Sequence, residues 1–532
     1  MVTRSPGGIG RSRLAVALAA LALGLAACSS GGDSSSDTDL TNGVAGKPVA
    51  GDTLTVAVQA PATSLEPATV NTALVIYTSL SYEPLIYQAA DGSLEPALAE
   101  SWEYNEGNTQ LDITLRPEST FTDGAAVDAE AVKASLEYVQ QAGGGSSQYL
   151  GGIEAIEVTG DLTLSLKLSG PNPMLADLLT QTYGVGGIIS PTGLKNPEKL
   201  TVENPSQGAG AYVFAPDDTV AGDHYTYTAN PDYYDKSKQH YKKVVLRVIP
   251  SPQAAINAVQ TKQVDIAPGD ASTAAQAKSS GQQVVAFPFV WQGLNLIDRG
   301  GEVSKPLGDV RVRQAINYAI DRETVTKAVL GEYGTPTTTT VVKDGDGWSQ
   351  KAADAYPYDV DKAKQLLADA GYADGFELPV LSIKLAGIDT MTEALTSQLA
   401  EVGITLKVKA VSDEQSYVGG ATDQSFPALA VGYGAQPMFI MGPGLFLPTA
   451  PVFNGFKTND EKLVGMYLEA AAATPEDRAA IDVEMQQYLV DQAWFAPVAF
   501  SPVFYYARPD LGGVKVSAGA PVATVLDWYD TK

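Results

Sequence analysis

The sequence predicts an α/β protein, because segments with strand periodicity and segments with helix periodicity follow one another along the chain. Apolar and polar residues alternate at residues 54–58, 111–115 and 162–168, as in strands that bury one face. Residues 244–249 form a more continuous apolar run, which is typical of a strand covered on both faces. Helix patterns lie between these segments and complete the alternation.

The predicted helices carry their own start and stop signals. Ser251 is followed by proline, and Asp309 and Asp359 each precede apolar residues at helical spacing. Gly371 marks the end of the helix that Asp359 begins. A further helix is predicted at about residues 475–491.

The composition narrows the functional classes. The 532 residues include 61 Asp and Glu against 35 Lys and Arg, for a net charge of −26. Nucleic-acid binding is unfavourable for such a chain, because phosphate contacts need clustered basic residues. One cysteine excludes an intrachain disulfide, and the two histidines, His224 and His240, are too few for a multi-histidine zinc site. We therefore expect no cofactor.

The N-terminal residues predict export and a lipid anchor. Residues 1–27 combine three arginines with an apolar stretch too short to span a bilayer, which indicates a cleaved signal peptide. Small residues precede Cys28, so we expect cleavage in front of it and lipid attachment to its thiol; an ordinary secretory signal with an incidental cysteine is the alternative. Residues 28–51 predict a lipidated Cys and a flexible tether. The predicted location is extracytoplasmic, on the outer face of the cell membrane.

A secreted enzyme is the main rival. The chain contains no Gly-x-Ser-x-Gly elbow, no Walker-type loop and no Gly-x-Gly-x-x-Gly fingerprint. His224 and His240 lie in polar, turn-like segments, which favours exposed loop positions over a catalytic base. The 61 acidic residues are too many for proximity in sequence to identify a glycosidase pair.

Aromatic residues are frequent in apolar, loop-like segments. The chain has 25 Tyr, 13 Phe and 5 Trp, and several of them lie at residues 287–291, 426–433, 438–446 and 494–495. Such side chains can line a solute pocket, stack on sugar rings or surround a cation. Ordinary core packing is the alternative for each of them.

Several short segments are informative as an ordered set. They include Ser-Leu-Glu-Pro at residues 64–67, Leu-Arg-Pro-Glu-Ser-Thr-Phe-Thr-Asp-Gly at residues 115–124, and the longer segments at residues 309–322 and 358–371. In this order they resemble the extracellular solute-binding proteins of family 5, the oligopeptide-, dipeptide- and nickel-binding lipoproteins of ABC importers. The resemblance runs over about residues 52–510.

The resemblance implies a fold like that of the type II periplasmic binding proteins. Such a fold has two α/β lobes, hinge strands between them and an extra domain. Lobe I would contain residues 52–81, 191–290 and 503–532, the extra domain residues 82–190, and lobe II residues 291–502.

The resemblance also implies a function. The chain would be the substrate-binding lipoprotein of an ABC importer, capturing a peptide or other small solute by lobe closure and delivering it to a permease and ATPase complex. It would act as a monomer, without enzymatic activity, and would contact the membrane through its lipid anchor only. A secreted carboxylate-dependent glycan hydrolase and a surface sensor lipoprotein on the same scaffold are the open alternatives.

Candidate ligand contacts follow from the family and from the aromatic clusters. Peptide binders of the family carry an Asp for the ligand's amino terminus in a loop that matches residues 431–437 here, where Gln436 stands and no acid occurs. A buried ammonium without a carboxylate is unfavourable, so a neutral or sugar-like solute or a modified peptide is expected. Trp291 and Tyr433 are expected to stack on the ligand, and Asn295 and Gln436 to orient it. The predicted ligand-binding residues are Tyr82, Phe289, Trp291, Asn295, Tyr433 and Gln436, and no catalytic or metal-binding residue is predicted.

Overall fold

The computed structural model describes residues 42–70, 74–143 and 147–532. The predicted signal peptide at residues 1–27, the predicted anchor Cys28 and the first part of the predicted tether lie outside the described residues. Within the described ranges, no helix has both the length and the apolar composition that crossing a membrane would require.

Strands and helices alternate through the described chain, as the sequence predicts. The strands are β1 (Pro48–Val49), β2 (Gly51–Val58), β3 (Ile86–Gln88), β4 (Leu94–Pro96), β5 (Ala99–Tyr104), β6 (Gln110–Leu115), β7 (Ile153–Gly160), β8 (Thr163–Leu168), β9 (Tyr212–Phe214), β10 (His224–Ala229), β11 (Tyr241–Val248), β12 (Ile266–Gly269), β13 (Gln283–Asn295), β14 (Thr335–Pro336), β15 (Phe376–Ile383), β16 (Ile404–Val411), β17 (Ala428–Gly434), β18 (Phe495–Ala507), β19 (Leu511–Gly512) and β20 (Tyr529–Thr531). The helices are α1 (Ile76–Ser79), α2 (Ala129–Gln141), α3 (Leu175–Leu178), α4 (Pro191–Lys195), α5 (Pro252–Gln260), α6 (Ala271–Ser279), α7 (Val310–Tyr318), α8 (Arg322–Leu330), α9 (Gln350–Ala353), α10 (Val360–Asp369), α11 (Ile388–Glu401), α12 (Glu414–Thr422), α13 (Met438–Met441), α14 (Glu461–Ala472) and α15 (Pro475–Asp491).

The predicted helix starts are present and capped. The Ser251 side chain accepts a hydrogen bond from the backbone N–H of Ala254 at the start of α5. The Asp359 carboxylate accepts one from the backbone N–H of Lys362 at 2.8 Å, and Asp309 caps α7 in the same way. Each cap satisfies a backbone donor that the first helical turn leaves free.

The largest sheet has the strand order β16-β15-β17-β13-β18-β12-β2-β11-β10-β9, and β14 also pairs with β18. The strands β13 and β18 pair antiparallel along almost their whole length. The second half of β13 lies between β18 and β17. The first half of β13 pairs with the end of β18, which on its other side pairs with β12. These two strands therefore connect two halves of the sheet, each of which contains a parallel pair, β15 with β16 and β2 with β11.

Each half of the large sheet has its own apolar core. Leu54 and Leu246 belong to the core around β2 and β11. Leu294, Ile316 and Leu381 belong to the core around β13, β15 and α7. The predicted α/β organisation is thus built as two separately packed units on one continuous sheet.

The strands β5, β6, β8 and β7 form a separate antiparallel sheet in that order. Leu111 and Leu166 share a buried core with Leu136 of α2, whereas Asp112 lies on the exposed side of β6. Because neighbouring strand residues point to opposite faces, the two-residue period seen in the sequence places one apolar face against α2.

The first described residues are paired with the C-terminal part of the chain. The strand β1 pairs antiparallel with β20, and isolated bridges join Asn42 to Lys515 and Val44 to Gly512. This pairing, together with the bond from Gly51 to the carbonyl oxygen of His240, differs from the flexible tether that was expected up to residue 51.

Candidate functional site

A cavity of about 760 Å³ is lined by residues from distant parts of the chain. Such a volume is usual for small-molecule sites, which occupy roughly 300–1,000 Å³. Tyr149 and Tyr183 in its wall pack on the core beneath the four-stranded sheet, whereas Val341 and Val342 belong to a core that includes residues of α14 and α15. The cavity therefore lies between separately packed parts of the chain.

Phe289 lines the cavity because of an irregularity in β13. The pairing of β13 with β18 shifts register between Pro288 and Val290, so Phe289 has no partner in this ladder. Such a bulge turns a side chain away from its regular direction. The Phe289 ring lies over Gly434, where a Cβ atom would come within 2.9 Å of the ring. The absence of a side chain at Gly434 thus makes room for the ring in the cavity wall.

Gln436 lines the cavity, and Tyr433 lies next to the lining residues. The Tyr433 ring meets Phe453 edge to face, with centroids 5.5 Å apart. Burial raises the pKa of Tyr433 to about 12, with a smaller contribution from Tyr149, which itself lines the cavity. Tyr433 therefore supports the aromatic part of the wall.

Trp291 lies in the core, contrary to the sequence expectation. Its side chain is fully buried and meets Phe495 edge to face, with centroids 5.6 Å apart. The regular pairing of β13 resumes after the bulge and directs this side chain to the core that contains Met485. Its Nε1 has no hydrogen-bond partner in the part of the chain that the structure describes.

Asn295 and Tyr82 are also structural, which corrects their predicted role. The Asn295 amide nitrogen donates to the carbonyl oxygen of Phe453 at 2.8 Å, and its oxygen accepts from Arg299 at 2.8 Å. With both polar atoms engaged and no exposed surface, Asn295 has nothing to offer a ligand. Tyr82 is 4% exposed and packs against Leu200, and burial raises its pKa above the ordinary value.

The cavity is also lined by charged residues, none of which was among the predicted ligand-binding residues. The lining residues include Asp91, Asp177, Asp344 and Asp346, together with Arg478. The sequence expectation concerned only residues 431–437, where indeed no acid stands. The acids come from other segments that meet only in the folded chain.

The sequence contained a weak signal for one of these residues. Asp177 stands within the apolar segment Leu-Ala-Asp-Leu of α3, whose other residues are buried. A charged side chain in such a segment is unusual unless it has a partner or a function. Arg478 and the loop acids stand in polar surroundings and carry no comparable signal.

A C-terminal segment, residues 517–522, completes the wall. Within it, Gly519 lies so close to Gly92 that a Cβ atom on either residue would be 2.7 Å from the Cα atom of the other. The hairpin of β3 and β4 and the C-terminal segment can meet in this way only without side chains.

The two histidines do not line this cavity. The His224 ring contacts the Asp223 carboxylate at 2.7 Å, and the His240 ring packs near Tyr529. Burial lowers the pKa of His240. Among the described residues, no group of three or more His, Cys, Asp or Glu side chains has the arrangement of a metal site.

Comparisons with known proteins agree with this architecture. The profile of the bacterial extracellular solute-binding proteins, family 5 Middle, matches residues 93–443. The nickel-binding periplasmic protein of Escherichia coli is 25% identical over 493 residues, which cover 85% of this chain and 89% of that protein. The glutathione-binding protein GsiB of Salmonella paratyphi A is 28% identical over 370 residues, which cover 68% of this chain and 70% of that protein.

A solved structure shows the same fold. The ABC transporter substrate binding protein CtaP from Listeria monocytogenes superposes with a TM-score of 0.75 at 20% identity, over 91% of this chain and 100% of that chain. The similarity confirms the predicted α/β fold of the type II periplasmic binding proteins.

Proposed function

We propose a function on the premise that the chain belongs to the bacterial extracellular solute-binding proteins of family 5. In this proposal the chain captures a short peptide or another amine-bearing solute for an ABC importer. Members of this family are binding proteins that act outside the cytoplasm, and the resemblance seen in the sequence is thereby confirmed. Binding without turnover requires no nucleophile or general base in the cavity.

The position of the cavity carries the proposal. It lies between separately packed parts of the chain, and the long strands β13 and β18 run between the two halves of the large sheet. A solute that touches both sides stabilises the closed arrangement by the contacts that it makes only there. The division into lobe I, the extra domain (residues 82–190) and lobe II (residues 291–502) is part of this proposal.

The chemistry of the wall indicates the solute class. Asp177 and Asp346 can accept hydrogen bonds from an ammonium group, and Arg478 can donate to a carboxylate. Phe289 offers an apolar face, and Gln436 offers both a donor and an acceptor. A short peptide presents all of these partners, and relatives of this chain are named for the binding of nickel and of glutathione.

A binding experiment tests this proposal. Trialanine should raise the thermal unfolding midpoint of the purified protein, because a ligand that binds only the folded chain stabilises it. N-acetyl-trialanine amide, which lacks both terminal charges, should bind at least about tenfold more weakly. Binding of nickel chloride with no response to peptides or to glutathione would contradict the proposal, as would turnover of any of these compounds.

Closure should be visible in the same samples. Small-angle scattering should show a smaller radius of gyration with saturating trialanine than without it, because the lobes approach each other. An unchanged radius with confirmed binding would exclude lobe closure as the mechanism of capture.

We further propose that Cys28 carries a lipid anchor that holds the protein at the outer face of the membrane. The support is the sequence pattern around Cys28, the only cysteine of the chain, and the extracellular character of the family. The Cys28→Ser variant should move from the membrane fraction to the soluble fraction, whereas a substitution at the exposed Val220 should not. A Cys28→Ser variant that stays with the membrane would refute the anchor.

A further inference from the structure

The walls of the cavity carry unequal charges. Asp91, Asp177, Asp344 and Asp346 line it, whereas Arg478 is the one cation among the lining residues that the structure describes. The wall therefore has a surplus of negative charge when these groups are ionised.

A fifth carboxylate, Asp482, lies directly behind this wall. It follows Arg478 by one turn of α15, so both side chains are on the same face of the helix. Its Oδ2 is 4.0 Å from Nε of Arg478, the outer limit of an ion pair. Its Oδ1 has no hydrogen-bond partner among the described residues, although Asp482 is only 1% exposed.

The loop with Asp344 and Asp346 is packed against Asp482. A Cβ atom on Gly347 would be 3.0 Å from the carbonyl oxygen of Asp482, and Gly347 has a positive φ of 84°. A residue other than glycine would be strained there, so the close approach of loop and helix depends on Gly347. The packing holds the Asp346 carboxylate in the vicinity of Asp482.

The charge of Arg478 acts on two carboxylates, those of Asp177 and Asp482, and the negative charge of Asp346 acts on the same two. Burial raises the pKa of Asp177 to about 6, against the opposing charge of Arg478. Burial and the charge of Asp346 raise the pKa of Asp482 to about 7, again against Arg478. Burial thus makes ionisation of Asp177 and Asp482 less favourable than in water, although Arg478 is near both.

Phenols also lie near two of these carboxylates. Tyr104 and Tyr183 interact with Asp177, and Tyr467 interacts with Asp482. Burial raises the pKa of all three phenols, so they are neutral where the carboxylates titrate. They contribute no compensating positive charge.

Aromatic rings complete the lining near the acids. Tyr149 and Tyr183 meet edge to face, with centroids 5.2 Å apart, and Phe289 extends from its bulge into the same cavity. Aromatic faces attract cations and also cover the alkyl stems of long basic side chains. Carboxylates with aromatic surface are the surroundings that an organic cation requires.

We infer that the cavity selects solutes with a surplus of positive charge, such as peptides that carry lysine or arginine in addition to their amino terminus. The inference rests on the proposed function, because it concerns the solute of the same cavity. An additional ligand cation would pair with carboxylates that Arg478 does not neutralise, whereas an acidic solute would be repelled.

The test compares two tripeptides that differ in one charge, Ala-Lys-Ala and Ala-norleucine-Ala. Isothermal titration calorimetry at low ionic strength should show at least about tenfold tighter binding of the lysine peptide. Equal affinities overturn the inference and leave the proposed function standing. Failure of both peptides to bind overturns the proposed function as well.

Two variants locate the selection in the cavity. Asp346→Asn changes an exposed side chain, so it should fold normally and reduce the lysine preference to about threefold or less. Glu484→Gln removes an exposed charge elsewhere on α15 and should leave the preference unchanged. Equal losses in both variants would show that net charge alone selects the peptide, and the inference would be wrong.

The preference should also depend on pH. Protonation of Asp482 and Asp177 removes negative charge as the pH falls through about 7 and about 6, so the preference should be greatest above about pH 7. A lysine preference of the same size at about pH 8 and about pH 5 would contradict the role of these carboxylates.

Discussion

The side-chain amide of Asn108 donates a hydrogen bond to the carbonyl oxygen of Ala473 at 2.9 Å and a second one to Ala471 at 3.0 Å. Asn108 belongs to the turn between β5 and β6, and Ala473 lies between α14 and α15. The contact therefore joins the four-stranded sheet to the helices on the other side of the cavity. If the proposed closure takes place, this contact is one that opening of the cavity would have to break.

The Asn108→Gly variant should release the solute faster. Asn108 has a positive φ of 55°, which glycine tolerates, so the substitution removes the two hydrogen bonds without backbone strain. With roughly 1 kcal/mol for each bond, the dissociation rate constant should rise by about five- to thirtyfold. Stopped-flow release of a fluorescent peptide measures it, and an unchanged rate would show that the contact does not resist opening.

The Phe289→Ala variant should weaken solute binding with little effect on folding. Phe289 is half-buried in the cavity wall and contacts Gly434 there, so its loss removes ligand contact area rather than core packing. We expect affinity to fall by about tenfold, or about 1.4 kcal/mol. Calorimetric titration with trialanine checks the affinity, and a drop in the unfolding midpoint with unchanged affinity would contradict this role.

The Trp291→Ala variant should behave in the opposite way. Trp291 is fully buried against Phe495, so truncation leaves a cavity in the core and should reduce the free energy of unfolding by about 3–5 kcal/mol. Solute affinity of the folded fraction should be unchanged. Urea denaturation measures the loss, with Phe289→Ala as the matched control two residues away on the same strand.

This pair of residues shows how far the sequence could predict the site. The alternation of apolar residues predicted the strands and helices, because burial of one face imposes the period. The bulge that turns Phe289 into the cavity depends on the pairing of β13 with β18, which no local pattern encodes. For the same reason, the clustering of aromatic residues in the sequence could not show that Phe289 lines the cavity and Trp291 lies in the core. Local patterns predicted the α/β class, the two-lobe fold came with the family resemblance, and the wall of the cavity was not predictable from either.

The acids of the cavity illustrate the same limit. Asp177, Asp346 and Arg478 are separated by more than a hundred residues at each step, and only the packing of α3, α15 and the intervening loop brings them together. Residues 431–437, where relatives that bind peptides carry an Asp, contain Gln436 and no acid, so an ammonium partner was not expected. A carboxylate can serve the same purpose from any segment that reaches the cavity.

The Glu83→Gln variant should be more stable than the parent protein at alkaline pH. Burial raises the pKa of Glu83 to about 7 from 4.5, although Tyr234 and Tyr233 donate hydrogen bonds to it. The folded state therefore binds this proton more tightly than the unfolded state, and the contribution is lost as the pH rises from about 4.5 to about 7. Above that range the variant should gain roughly 1–3 kcal/mol.

Urea denaturation of the Glu83→Gln variant and its parent at about pH 5 and about pH 8 measures this effect. The difference between the two proteins should be larger at the higher pH. Glu484→Gln is the control, because Glu484 is exposed and its replacement should not alter the pH dependence. A stability difference that does not change with pH would show that Glu83 is ionised in the folded protein throughout this range.

The Gly519→Ala variant should deform the wall of the cavity. The added Cβ atom would lie 2.7 Å from the Cα atom of Gly92, and neither backbone can rotate away as a flexible side chain could. The hairpin and the C-terminal segment must therefore separate, and both line the cavity. We expect a loss of roughly 1–3 kcal/mol in stability and at least about fivefold weaker binding of trialanine.

The control is Gly465→Ala in α14, where no atom lies within 4 Å of the new Cβ atom and the helix should gain about 0.5–1 kcal/mol. Unchanged affinity in Gly519→Ala would mean that the C-terminal segment borders the cavity without contacting the solute, because the forced separation would otherwise move the contact surface.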